Sequence, residues 1–283
     1  MTCTLAPGGG IRRHVISQSN VFLFLKNDRF QVKLESKCPG ATIIPVILSS
    51  DKTQVTLFRD KSAYPLYLTI GNIPKEVRRQ PSQHAYILLG YLPTTKLEHI
   101  TNKAAWRRTI GNLFHACVSR IIHPIKVTGL TGAPMMSGDG AIRRVHPLLA
   151  LYIGDYPEQI LVAGVKKGDC PTCPATKDEL DSDEGHDYRD MDAVLEALDL
   201  ADGPDVAVFV RECKRLGIKP LATPFWRDLP YVHIFRSISP DVLHQLFQGV
   251  IKYIILWIKQ AYTPAEIDAR CRRLPPNHHI PYS

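Results

Sequence analysis

Two aspartates stand just beyond the two most strand-like apolar runs of the chain. Asp51 follows Thr42 to Leu48 (TIIPVIL) by way of Ser49-Ser50, and Asp155 follows Val145 to Ile153 (VHPLLALYI) by way of Gly154. Carboxylates are hard oxygen donors of the kind Mg²⁺ or Mn²⁺ takes, and such ions use one or two of them while keeping places for water and phosphate. A pair of such ions serves in-line displacement at a phosphodiester. Residues about a hundred positions apart can share an ion only where the fold brings their strand ends together. The competing reading is that each Asp caps a turn, a place where Asp is favoured anyway. Asp139, inside Ser137-Gly138-Asp139-Gly140, is a weaker third candidate because Asp-Gly is a routine turn signal.

Three other groups could carry chemistry. Cys170 and Cys173, spaced Cys-Pro-Thr-Cys, are half of a tetrahedral Zn²⁺ site, which takes four ligands. Unliganded thiols and a redox pair are the alternatives, the last disfavoured because no helix start holds Cys170. His244, in PDVLHQL, lies on an expected helix; it is either a hydrogen-bonded structural histidine or a proton donor beside a phosphate. The basic pairs Arg78-Arg79, Arg107-Arg108, Arg143-Arg144 and Arg272-Arg273 are singly solvated surface, and together what a face tracking a phosphate backbone needs. Trp226 and Trp257 are read as core residues rather than stacking platforms.

The elements that must position these groups follow from periodicity. Val21 to Leu25 reads as one strand, and Thr42–Leu48 as a strand buried on both faces. Gln54–Phe58 and Tyr64–Ile70 read as two more, forming with it an antiparallel meander. Ala85–Leu92 is a fourth. Asn102–Ile122 carries Trp106, Ile110, Leu113, Phe114, Cys117 and Ile121 at helical spacing. Gly132–Gly140 reads as turn, Val145–Ile153 as a strand, and a helix is expected from Glu158. Further helices are expected over Met191–Leu200, Asp205–Leu216 and Pro240–Ala261, the last with Ser239 as N-cap. Strands followed by helices, with acids at the ends of separate buried strands, give an α/β class. The layout is that of an RNase-H-like core, a mixed sheet flanked by helices, with a helical acidic insertion.

Composition narrows the function classes. The chain has 283 residues, 45% hydrophobic and 22% charged, a globular rather than disordered balance. No uncharged apolar stretch approaches the roughly 18–20 residues of a spanning helix, so no membrane partner is expected. The first fifteen residues have no apolar h-region, against a secretory signal. Seven cysteines with one close pair argue for a reducing, intracellular setting. The net charge of +8 is unevenly spread. Between Asp178 and Asp205 stand twelve acids and one base, Arg189, so the rest of the chain holds 34 bases against 15 acids, a net +19. A body that basic attracts polyanions, nucleic acid first among them.

Three long strings carry a family resemblance: IIPVILSSDKTQVTLFRDKSAYPLYLTIGNIPKEVRR, GDYPEQILVAGVKKGDCPTCP and DLPYVHIFRSISPDVLHQLFQGVIK. In this order they resemble the catalytic core of fungal CACTA-like transposases of the Plavaka and Kyakuja–Dileera–Zisupton lineage, from about Lys37 onward. The resemblance implies a DDE-type core that cuts and joins DNA ends with two divalent metals. Asp51 matches the first acid, Asp155 the second, and His244 a Met/Leu-His motif near the active site. Cys170 and Cys173 match a cysteine pair, and the layout is similar to the V(D)J recombinase core, where two far-downstream histidines complete a zinc site.

The resemblance implies Mg²⁺ or Mn²⁺ and Zn²⁺ as cofactors, transposon-end DNA as partner, a second copy or a full-length transposase as protein partner, and a nuclear location. The expected organisation is a divergent segment over 1–37, the RNase-H-like core over 38–165, the CxxC-containing acidic insertion over 166–235 and a C-terminal helical segment over 236–283. The third acid of the family pattern is not found; Glu266 is a poor substitute. The chain is therefore expected to be a truncated core, catalytically weak by itself. A non-catalytic nucleic-acid-binding protein is the alternative.

Overall fold

The computed structural model describes residues 36, 38–56, 61–179 and 185–273. The strand expected at Val21–Leu25 lies outside them. The described chain separates into two units, one running through Ser239 and the other from Pro240.

The first unit is α/β. Its strands are β1 (Thr42–Ser50), β2 (Thr53–Gln54), β3 (Ser62–Ala63), β4 (Pro65–Ile70), β5 (Ile87–Tyr91), β6 (Ala133–Met136), β7 (Ile142–Gly154) and β8 (Ile238–Pro240). They form a mixed sheet in the order β5-β4-β1-β7-β6, with β8 also paired to β7. β1 and β7 are parallel, while β1–β4, β4–β5 and β6–β7 are antiparallel. The expected meander forms with a different third member. β2 and β3 make a separate two-residue ribbon, and β5 takes the place beside β4. Of the strand expected over Gln54–Phe58, Leu57 and Phe58 lie outside the described residues, and the described Thr53–Gln54 is exposed.

β1 is buried on both faces, as its β-branched run predicts. Val46 and Leu48 join Leu66, Leu149 and Tyr152 in the main core, whereas Ile47 packs with Ala150 and Leu151 on the other side. The pairing of β1 with β7 slips by one residue between Val46 and Ile47, leaving Ala150 without a partner. Ala150 and Leu151 consequently share a face, and Tyr152 returns to the main core.

Among the helices, α1 (Lys75–Arg78) is a single turn, and α2 (Lys103–Ile121) buries Gly111, Phe114, His115 and Val118. Asn102 caps α2 by accepting the N–H groups of Ala104 and Ala105. Then come α3 (His123–Thr131), α4 (Tyr156–Val162), α5 (Met191–Asp199), α6 (Val206–Arg215) and α7 (Ile234–Ser237). Residues of α5 and α6 (Met191, Val194, Leu198, Phe209, Cys213) belong to the same apolar cluster as the sheet, so the acidic stretch shares its core. Phe225 and Trp226 close that cluster, Trp226 donating its indole N–H to Val162 O at 2.7 Å.

The turn expected over Gly132–Gly140 holds the short strand β6, whose Met135 and Met136 are exposed and so gave no burial pattern to read. Asp139 serves the hairpin turn, bound bidentately by Arg143 and reached by Ser137. That array of donors holds its carboxyl well below the usual range.

The second unit consists of a π-helix (Val242–Ile251) continuing into α8 (Lys252–Ala261), followed by α9 (Pro264–Cys271). Its N-cap is Asp241 rather than Ser239, which lies in β8. Trp257, expected in the core, is 62% exposed.

Candidate functional site

The parallel pairing of β1 with β7 decides where the aspartates go. After the slip at Ala150 the register runs Ile47↔Leu151, Leu48↔Tyr152, Ser49↔Ile153. That is the last pair; Asp51 and Asp155 each follow it by two residues, just beyond the C-terminal ends of neighbouring parallel strands, which run about 4.8 Å apart. The crevice outside the carboxyl ends of parallel strands is where α/β sheets place ligands. Asp51 is exposed and accepts a hydrogen bond from Thr53 Oγ1 at 3.2 Å. Asp155 is half-buried and caps α4, its Oδ1 accepting the N–H of Glu158 at 2.9 Å.

Directly behind the pair lies a buried network that the sequence reading did not include. Glu158, only 6% exposed, accepts a hydrogen bond from Ser50 Oγ on Oε1 and from Tyr64 OH on Oε2, the latter at 2.5 Å. Ser50 Oγ is also 2.6 Å from Tyr152 OH. Burial pushes the Glu158 carboxyl up to about 7, helped by the charges on Asp155 and Asp51 and opposed by the Ser50 and Tyr64 hydroxyls. Burial and the neighbouring carboxylate push both phenols, Tyr64 and Tyr152, well above their ordinary value. Gly154 makes room for this: a Cβ there would lie 2.8 Å from Glu158 Cβ and Cγ. One signal was present in Asp155-Tyr-Pro-Glu158, the D-x-x-E spacing of a capping box. A capping-box Glu faces the helix end, however, and the spacing says nothing of three hydroxyls waiting on the inner side.

A buried contact centred on His115 is structural. His115 bridges α2 to the core, with Nε2 3.0 Å from Leu161 O and Nδ1 accepting the N–H of Phe225 at 3.3 Å. Burial drives its pKa down to about 3, so the ring is neutral.

His244 belongs to the second unit. Its main-chain N–H reaches Asp241 Oδ1 at 2.6 Å and its Nδ1 lies 2.8 Å from Asp241 Oδ2. Cys170 and Cys173 sit in a tight loop of the first unit, where Cys173 N–H donates to Cys170 Sγ at 3.5 Å and Thr172 Oγ1 lies 3.3 Å from it. Burial raises the Cys170 thiol, but these hydrogen bonds outweigh it and the net shift is downward. Burial and the adjacent Cys170 push Cys173 upward. Among the described residues no group of three or more His, Cys, Asp or Glu side chains is arranged to hold a metal. For Zn²⁺ the donor set therefore stops at two thiols of the four a structural site takes. For Mg²⁺ or Mn²⁺, two hard carboxylates on adjacent strand ends are a fitting partial shell, to be completed by water and phosphate.

Arg79, Arg107, Arg108 and Arg144 are exposed, while Arg143 is engaged by Asp139. No helix among the described residues is long and apolar enough to cross a membrane.

Comparison with known proteins supplies the deciding observation. The profile of the Plavaka transposase family matches residues 26–258, a span that contains both aspartates, the cysteine pair and His244. The chain belongs to the Plavaka transposase family. A search of curated proteins returned no match. Membership of a transposase family implies interaction with DNA, which suits the +19 carried outside the acidic stretch. It also puts the paired strand ends in a protein that acts on nucleic acid.

Proposed function

We propose that this Plavaka transposase chain carries the strand-cleaving core of a DDE-type, CACTA-like transposase, built on an RNase-H-like sheet and acting on transposon-end DNA in the nucleus. What supports the reading is the β1–β7 register, whose last pair, Ser49↔Ile153, stands two residues before each of Asp51 and Asp155. These two side chains would hold Mg²⁺ or Mn²⁺, and a bound ion would supply Lewis acidity at the phosphodiester. The exposed arginines hold the DNA backbone without reading its sequence. His244, oriented by Asp241, is proposed to act at the scissile phosphate. Cys170 and Cys173 are proposed as half of a zinc site completed by other ligands, and a second copy or a full-length transposase is proposed as the protein partner. With no third acid joining the aspartates among the described residues, cleavage by this chain alone is expected to be weak.

The test is Mn²⁺ binding followed by its electron paramagnetic resonance, alongside nicking of supercoiled plasmid. Asp51→Asn and Asp155→Asn should each weaken Mn²⁺ binding by about tenfold or more and remove any nicking. Mn²⁺ affinity unchanged in both variants would overturn the metal assignment. The absence of a third acid beside the aspartates among the described residues also favours a second reading, a DNA-binding protein without catalysis. DNA affinity that falls steeply with salt in wild type and both variants alike, with no nicking in any, would select it.

A further inference from the structure

We infer that Glu158 is a positioning residue that locks Asp51 and Asp155 to one spacing; the inference rests on the two-aspartate reading above. Glu158 touches both sides of the pair. Its main-chain N–H binds Asp155 Oδ1, which fixes the rotamer of that aspartate at the start of α4. Its side chain binds the hydroxyl of Ser50, the residue immediately before Asp51, and thereby pins the last residue of β1. Through Ser50 the contact continues to Tyr152 on β7, and through Oε2 to Tyr64, the residue just before β4. One carboxyl thus joins β1, β7, α4 and the approach to β4, behind the edge where the aspartates emerge.

The geometry also says what Glu158 does not do. Both carboxyl oxygens already accept hydroxyl hydrogen bonds, and the side chain is almost wholly buried, so it faces away from anything that docks at the strand ends. The absent Cβ at Gly154 shows that the main chain of β7 is shaped around this side chain. A carboxylate with two acceptor oxygens is the smallest group that can take Ser50 and Tyr64 together. An amide of the same shape can still accept one hydroxyl and donate to the other.

The experiment combines hydrogen–deuterium exchange with Mn²⁺ titration of the full chain. In Glu158→Ala, protection should fall about tenfold or more in two peptides far apart in sequence, those covering Ser49–Thr53 and Gly154–Gln159, while α2 is unchanged. Mn²⁺ affinity should fall about tenfold, as for removal of an outer-shell partner, and Glu158→Gln should restore most of both. Ser50→Ala should loosen the first peptide and leave the second protected. The inference is overturned if Glu158→Ala leaves both peptides as protected as in wild type. It is equally overturned if Glu158→Gln keeps protection yet binds Mn²⁺ as poorly as Glu158→Ala, which would make the charge itself a ligand. If Glu158→Ala shows no cooperative unfolding transition, Glu158→Gln and Ser50→Ala carry the same comparison. Failure of wild type to bind Mn²⁺ would remove the metal assignment, while the exchange pattern still decides the positioning role.

Discussion

Glu158 and Arg189 are both ionisable and both buried, at 6% and 4% exposure, yet the partners they bond are of opposite kinds. Glu158 takes its hydrogen bonds from side-chain hydroxyls, each of which can rotate and exchange its role. Arg189 gives its bonds to main-chain carbonyls, Cys170 O at 3.0 Å and Leu216 O at 2.9 Å. Its own N–H holds Thr172 O. The only base of the acidic stretch is therefore a clasp between the cysteine loop and the end of α6, with no adjustable partner. Side-chain partners next to Asp51 and Asp155 suit a place where charge arrives and leaves. Carbonyl partners suit a joint that stays shut. Burial of charge alone does not mark a functional corner; the kind of partner does.

That contrast can be broken at several points. The largest effect is expected at the clasp. Arg189→Ala leaves two half-buried carbonyls without their donor and a cavity behind, costing about 4 kcal/mol in chemical denaturation. The same change should leave Mn²⁺ binding intact in the fraction that folds. A loss below about 1 kcal/mol would mean the carbonyls find water instead.

Next comes a pH effect belonging to Glu158 alone. In the folded chain its carboxyl keeps its proton up to about 7, against an ordinary value of 4.5. Native protein therefore binds the extra proton, and stability falls as pH rises from about 4.5 to 7, by at most about 3 kcal/mol, then levels off. Glu158→Gln should flatten that limb. His115 works in the other direction: its ring, held neutral down to about 3, makes stability fall as pH drops below 6.5. It does so in both proteins, so the difference between their unfolding free energies across the range isolates Glu158. Parallel curves would show that Glu158 titrates normally.

The smallest effects distinguish the two glycines that make room for these side chains. Gly217 has φ +72°, and a Cβ there would lie 2.9 Å from Arg189 Nη1, so Gly217→Ala adds backbone strain to crowding and should cost about 2 kcal/mol. Gly154 has no positive φ, and its Cβ would crowd the Glu158 side chain at 2.8 Å while meeting Ser50 O at an ordinary 3.9 Å, so Gly154→Ala should cost about 1 kcal/mol. Despite its milder cost, Gly154→Ala is the one that should weaken Mn²⁺ binding. The reverse ranking would invert the assignment of the two buried charges.

What could be read from the residues, and what could not, follows from the range of the forces involved. Thr42–Leu48 and Val145–Ile153 declared themselves because continuous β-branched and aliphatic runs have few alternatives to a doubly covered strand. Asp51 and Asp155 were visible as strand ends for the same reason. Whether those ends stand side by side depends on register, a long-range property with no local signature. Ser50, Tyr64, Tyr152 and Glu158 come from four places in the chain and share a partner only after the sheet has formed. β6 reads as turn in the sequence because its outward methionines carry no burial pattern. Asp241 rather than Ser239 starts the last long helix because Ser239 is taken up by β8. The exposure of Trp257 contradicts the habit of assigning tryptophan to the interior.

The unpartnered Ala150 has one more consequence. It separates the counting of residues in the middle of the sheet from the counting at its edge. Val46 opposite Leu149 and Ser49 opposite Ile153 are independent agreements, joined by a loop-out of one amino acid. Deleting Ala150 would restore regular pairing and leave the register from Ile47↔Leu151 onward unchanged. A gap of one between Tyr152 and Asp155 would swing the second carboxylate away from the first and end the partnership.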